Sequence, residues 1–163
     1  MGPFLCKHLD ILIAHMLSIS MIVVVDTNVF ISSVMSANGA SRQIIRLCLQ
    51  GRLNPLMGNA LFSEYEDVCS RNALFDERLI SREDRNVLLD AFFASCAWVP
   101  IYFLWRPNLR DEADNHVMEL AIAGGAEMII TANKKDFRNA ELSFPNIEIC
   151  NPIEFLNKGT FAS

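Results

Sequence analysis

Short apolar runs alternating with amphipathic stretches predict an α/β fold, a parallel sheet joined by right-handed crossovers. Three observations carry this. Met21–Val25 (MIVVV) and Met128–Thr131 (MIIT) are continuous apolar runs of the kind buried on both faces of a parallel sheet. The stretches between such runs carry helical rather than alternating periodicity. Breaks at Asn38-Gly39, Gly51, Gly124-Gly125 and Pro145-Asn146 fall between the patterned segments.

In chain order, Met21–Val25 is the first strand and ends in Asp26-Thr27-Asn28. A helix follows from about Val29 to Met35. Ser41 can cap a second helix carrying Ile44, Ile45, Leu47 and Cys48, which stops at Gly51. Leu53–Met57 reads as a weak strand because Pro55 interrupts it. Asn59 can cap a helix from Ala60 to Ser70, with Leu61, Tyr65 and Val68 on one face. Ser81 and Asp84 resemble a capping box opening a helix through Phe92 to Ser95. Trp98–Leu104 is strand-like, with Pro100 suiting an edge or a strand start. A helix from about Asp111 to Ala123 ends at Gly124-Gly125, and Ile147–Cys150 is a further strand. Pro152 suits the first turn of a short last helix, Ile153–Leu156.

The chain of 163 residues fits one domain, and no internal repeat or Gly/Ser/Pro-rich linker divides it. At 52% hydrophobic and 20% charged it has the apolar content that a disordered chain lacks. Cys6, Cys48, Cys69, Cys96 and Cys150 are odd in number and form no C-x-x-C pair. That argues for reduced thiols in a cytoplasm and against a disulfide framework or zinc ribbon. A net charge of −5 excludes a protein that coats nucleic acid by charge alone. Residues 1–20 read as an extension, an amphipathic helix or a segment upstream of a start at Met21. Their apolar run, bracketed by Asp10 and Asp26, is shorter than the roughly 20 residues a membrane span needs, and a lone Lys7 suits a signal peptide poorly. His8 and His15 have no carboxylate partner nearby and read as incidental.

In an open parallel sheet ligands sit beyond the carboxyl ends of the strands. Asp26 follows the first strand, and Asn133 and Asp136 follow Met128–Thr131. Asp111 and Asp114 open the preceding helix, and Glu64 or Glu66 flanks the Leu61/Tyr65/Val68 stripe. If these positions share one edge, four or more carboxylates meet. Such a cluster raises at least one pKa unless a cation neutralises it. Oxygen donors suit Mg²⁺ or Mn²⁺, and a metal there can activate water against a phosphodiester. Each acid also has a plainer explanation. Asp26 can cap a helix, and Glu112 can complement a helix dipole. Asp136 can be a loop acid, Asn133 a turn residue, and His116 a surface or boundary residue rather than a general base.

Together the motifs resemble the PIN-domain ribonuclease family, in particular the VapC-like toxin components of bacterial and archaeal type II toxin–antitoxin pairs. The resemblance is carried by VVVDTNVFISSVMS (Val23–Ser36), LFSEYEDV (Leu61–Val68), DEADNHVMELAIAGGAEMIITANKKDF (Asp111–Phe137) and NPIEFL (Asn151–Leu156). It implies a three-layer α/β/α fold with four to five short strands over residues 21–157, preceded by the extension 1–20 and followed by a tail, 158–163. By resemblance, Asp26, Glu64, Asp114 and Asp136 are the catalytic metal-binding acids, with Asp111 an accessory ligand. The match selects Glu64 over Glu66. Asn28, Ser32, Thr131 and Asn133 fall on supporting polar positions, and many relatives carry Asp where this chain has Asn133. The implied activity is cleavage of single-stranded RNA with one or two Mg²⁺ or Mn²⁺ ions, and the implied partners are an antitoxin and a second copy of the chain. Lys134, Lys135, Arg42, Arg46 and Arg138 are candidates to steer phosphates, whereas Arg52 reads as a solvated charge. Two other readings remain open. An aspartyl-phosphate phosphatase would use Asp26 but wants a second acid where Asn28 stands, and a PIN-like binding module would have lost activity.

Overall fold

Val23, Val24 and Val25 are each no more than 1% exposed, as are Ile129 and Ile130, so two consecutive-apolar runs lie buried on both faces. In the computed structural model, which describes residues 20–76, 79–102, 115–137 and 146–158, they are neighbouring central strands. Strand β1 (Met21–Val25) pairs in parallel with β2 (Leu53–Met57) on one side and β4 (Met128–Ile130) on the other. Strands β3 (Ala97–Trp98) and β5 (Glu148–Cys150) complete an all-parallel sheet in the order β3-β2-β1-β4-β5. The chain therefore moves outward from β1 in one direction through β3, then resumes on the other side of β1 at β4. The boundary between β1 and β4 is the topological switch point.

Helices flank the sheet: α1 (Thr27–Met35), α2 (Ala40–Leu49), α3 (Asn59–Ser70), α4 (Arg82–Ser95), α5 (Asn115–Ala123), α6 (Lys134–Phe137) and α7 (Pro152–Asn157). The predicted parallel α/β architecture, with helices on both faces of a short-stranded sheet, is the one observed. Several boundaries differ. Gly39 and Gly58, not Ser41 and Asn59, stand at the N-caps of α2 and α3, and neither cap uses a side chain. Leu53–Met57 is a full strand despite Pro55, because β3 pairs only with Leu56 and Met57 and begins after the proline. The strand expected over Trp98–Leu104 is reduced to Ala97–Trp98; Phe103 and Leu104 lie outside the described residues. The short helix α6 carries too few residues to show a period. Ser81 does cap α4, accepting from the Asp84 amide at 3.0 Å. Asn151 and Glu154 form a reciprocal capping box on α7, with Pro152 in its first turn. The Gly124-Gly125 break works in two ways. A Cβ on Gly124 would stand 2.3 Å from the Leu56 side chain, and Gly125 takes φ +64°.

The helices on the β2 side lock through aromatic rings. Phe30 of α1, Tyr65 of α3 and Phe92 of α4 have centroids 5.5–5.7 Å apart pairwise. The Tyr65 hydroxyl also donates to the carbonyl of Val25, the last residue of β1, at 2.9 Å. That bond ties α3 to the end of the central strand, which places the neighbouring Glu64 beside Asp26. Tyr65→Phe keeps the rings but leaves the site without this donor, and should lower unfolding free energy by about 1–3 kcal/mol. Phe92→Ala should cost about 3–5 kcal/mol. Urea denaturation of both variants checks the order.

Candidate active site

Asp26 occupies the N-cap position of α1, yet its carboxylate makes no capping bond. The plain explanation of this acid therefore fails. Instead Oδ2 accepts two hydrogen bonds of 2.7 Å, from Thr131 Oγ1 and from Asn28 Nδ2. Thr131 follows β4 directly, so the Thr131 bond crosses the switch point. Asn28 reinforces the crossing, because its amide also reaches Thr131 Oγ1 at 3.2 Å and its oxygen accepts from the Ala132 amide at 3.0 Å. The Asn133 amide donates to Thr131 Oγ1 at 3.0 Å. Asp26 is 6% exposed and Thr131 is fully buried.

Glu64 reaches the same place from α3. Its Oε1 accepts from Thr27 Oγ1 at 2.5 Å, and its Oε2 lies 2.7 Å from His116 Nε2 on α5. Thr27 is also 3.4 Å from Asp26 Oδ1. A hydroxyl has one proton, and the shorter distance gives it to Glu64. Among the described side chains, Asp26 Oδ1 is thus left with a long contact to the Thr27 hydroxyl. Glu66, by contrast, is exposed and lines a groove of about 270 Å³ between α3 and α4 with Cys69, Arg82 and Asp90.

The two carboxyls are shifted in opposite directions. Burial pushes the Asp26 carboxyl above its ordinary range and the Glu64 charge adds to this, against hydrogen bonds from the Thr131 hydroxyl, the Thr27 backbone and the Asn28 amide. Burial also pushes Glu64 up, but the His116 hydrogen bond, the Thr27 hydrogen bond and the His116 charge together hold it below its ordinary range.

Of the other candidates, Asp136 is half-buried on α6 and accepts a hydrogen bond from the Asn133 side chain. Among the described residues no hydrogen bond or ion pair joins Asp136 to Asp26 or Glu64, and no three of His, Cys, Asp or Glu group closely enough to hold a metal. Asp111, Glu112, Asp114 and Arg138 lie outside the described residues, as do Cys6, His8 and His15. Ser32 is exposed on α1. Arg42 Nε donates to the Ser33 carbonyl at 2.7 Å, and Lys134 is paired with Glu154 at 2.6 Å. Lys135 is exposed. Burial raises the thiols of Cys69 and Cys150 to about 11 and that of Cys96 to about 12, so they stay protonated and unreactive. Thr27 is a residue the sequence does not single out, and His116 reads there as a surface or boundary residue. The hydroxyl sits inside the quoted D-T-N motif, but nothing local says that it turns to Glu64. His116 lies in the first described turn of α5, and only the folded contact separates it from a boundary residue.

A flanked parallel sheet with two acids near its switch point is the α/β arrangement in which ligands generally sit at the strand ends. The chain belongs to the PIN domain family, whose model matches residues 22–135. Its fold is similar to that of a chain of VapBC2 from Rickettsia felis, in a crystal structure bound to a DNA fragment from their promoter. The TM-score is 0.57 at 17% identity, covering 80% of this chain and 98% of that one. No curated protein matches the chain.

The sign of each shift sets a pH dependence. Asp26, with a raised folded value, contributes stability at low pH that is lost as pH rises through that value. Glu64, with a lowered one, contributes stability above the unfolded value that is lost as pH falls through its folded value. Asp26→Asn keeps an oxygen that can accept from both Thr131 and Asn28 while removing the disfavoured charge. In EDTA at neutral pH its melting temperature should equal or exceed that of the native chain, with the gap closing on acidification. A variant that melts lower at every pH would contradict this assignment.

Proposed function

We propose that the chain is a metal-dependent endoribonuclease that cleaves single-stranded RNA by attack of water on a phosphodiester, as the toxin of a toxin–antitoxin pair. The observation that carries the reading is the buried Asp26, an N-cap acid that caps nothing and is opposed by the charge of Glu64. Nothing in helix stability accounts for such a pair, whereas a hard cation would neutralise it. The donor set fits: carboxylate oxygens suit Mg²⁺ or Mn²⁺, and among the described side chains Asp26 Oδ1 meets only Thr27, at 3.4 Å. Asp26 and Glu64 would hold the ion, with Asp111, Asp114 and Asp136 added from the family resemblance. Bound there, a divalent ion supplies a lowered water pKa and charge neutralisation at the phosphate.

The chain's own groups do the rest. Thr131 and Asn28 fix Asp26, and Thr27 fixes one oxygen of Glu64. Asn133 donates to Asp136, a neutral pairing where an acid would repel. Lys135 is exposed beside this loop and is the base best placed to meet a phosphate. Lys134 is tied to Glu154, Arg42 supports the Ser33 carbonyl, and Ser32 is open on α1. The fold shared with VapBC2 supports an antitoxin partner. Among the described residues no helix is long and apolar enough to cross a membrane. The reading includes a cytoplasmic location, a homodimer, residues 21–157 as the nuclease domain, and 1–20 as an extension.

Asp26→Asn and Glu64→Gln should each reduce Mn²⁺-dependent cleavage of a single-stranded RNA by more than the roughly 10–100-fold that loss of a supporting contact costs, and EDTA should abolish it. Cleavage that survives both would overturn the reading. Covalent phosphate trapped on Asp26 would replace it with the phosphatase. Binding without cleavage in the native chain would leave only a PIN-like binding module. Lys135→Ala should weaken RNA binding across sequences and reduce the slope of log affinity against log salt by about 0.7, as measured by a salt titration.

A further inference from the structure

We infer that Trp98 and Tyr102 form a stacking platform for unpaired bases of an RNA strand whose phosphate lies at the acid site; this rests on the nuclease reading above. Both residues stand at the carboxyl end of the sheet. Val23 pairs with Pro55 and Met57 with Trp98, so the parallel register brings Trp98 level with Val25, the residue before Asp26. Two strand spacings, roughly 10 Å, separate them. The chain leaving β3 stays on this edge. A Cβ on Gly58, at the start of α3, would lie 3.4 Å from the Ile101 side chain and 3.3 Å from that of Leu120 on α5. Tyr102 thus follows a residue packed beside the two helices that carry Glu64 and His116.

Core packing does not account for either ring. Tyr102 is 82% exposed and Trp98 is 51% exposed, and water disfavours exposed aromatic area. The Trp98 ring is nevertheless held, with its centroid 5.2 Å from that of Phe62, which lies 4.7 Å from Phe93 of α4. A ring supported on one side and open on the other needs little ordering to receive a base. Exposed aromatic rings suit either a nucleic-acid base or a protein surface. Among the described residues the other exposed large apolar side chains are aliphatic, and two of them, Leu74 and Leu79, follow the far end of α3. A protein interface wants a contiguous apolar patch, whereas a base needs only a π face. Stacking also works without charge, which suits an edge where Lys134 and Arg42 already have partners.

Titrations of the full chain with Mn²⁺ present would use a phosphorothioate-linked oligoadenylate, which resists cleavage, and an abasic strand of the same linkage and length. The native chain should bind the base-bearing strand more tightly and lose tryptophan fluorescence on binding it. Trp98→Leu and Tyr102→Leu keep apolar bulk without a ring, and each should weaken that binding roughly 5–100-fold. Trp98→Phe and Tyr102→Phe should retain most of it, and the abasic strand should bind alike in all four. Leucine variants that bind oligoadenylate like the native chain overturn the platform, while continued Mn²⁺-dependent cleavage leaves the nuclease reading standing. Equal losses in the leucine and phenylalanine variants, or losses shared by the abasic strand, also overturn it, because a ring face would then not be what binds. Leucine variants that lose self-association in light scattering, with oligoadenylate binding intact, would assign the face to a second copy of the chain instead. If the native chain neither binds nor cleaves RNA, the nuclease reading itself falls and the platform falls with it.

Discussion

The site depends on one constraint, a carboxylate placed out of water at the switch point of the sheet. A buried acid is costly unless its oxygens are satisfied. One oxygen of Asp26, Oδ2, is satisfied from both sides of the switch, by Asn28 within its own turn and by Thr131 at the end of β4. These bonds hold together two loops that the topology sends apart. The valines of β1 and the isoleucines of β4 supply the dry surroundings that make the bonds short and the charge expensive. Packing and site chemistry are therefore the same feature seen from opposite ends of the strands.

The second acid is positioned less directly. Glu64 is brought in by Tyr65, whose ring belongs to the aromatic lock of α1, α3 and α4 and whose hydroxyl seizes the Val25 carbonyl. Three helices thus determine where one carboxylate stands, and the Thr27 hydroxyl holds one of its oxygens. The result is asymmetric: Asp26 is pushed toward its neutral form and Glu64 toward its charged form. Environments that separate two like groups are the usual way that a site assigns them different duties.

What could be read from the chain follows from how local each signal is. The strands β1 and β4 announce themselves because burial on both faces demands unbroken apolar runs. Asp26 and Asn28 are legible because they adjoin such a strand. The periodicity of α3 leaves Glu64 and Glu66 equivalent, and family resemblance selects Glu64; in the fold one meets Asp26 while the other faces a groove between two helices. His116 and Thr27 were opaque for a related reason. Their partner lies on a different helix, and no spacing within the chain encodes a contact made only when three helices converge. Ser41 and Asn59 misled in the opposite direction, since a capping residue type is a preference that glycine can displace.

Part of the acidic total, which first counts against nucleic acid, acquires a location. Asp26, Glu64 and Asp136 are not spread over the surface; they stand near the ends of the central strands or on a helix that converges there. The nearby bases are largely committed elsewhere: Lys134 to Glu154 and Arg42 to a backbone carbonyl. A polyanionic backbone approaching this edge meets few free positive charges among the described residues. On the nuclease reading, attraction must then come chiefly from whatever neutralises the acids themselves. Charge and chemistry would be supplied by the same bound ion, so a site without metal would repel its substrate as well as fail to cleave it. An acidic chain can work on RNA on those terms, and a basic coat would add affinity that the chemistry does not need.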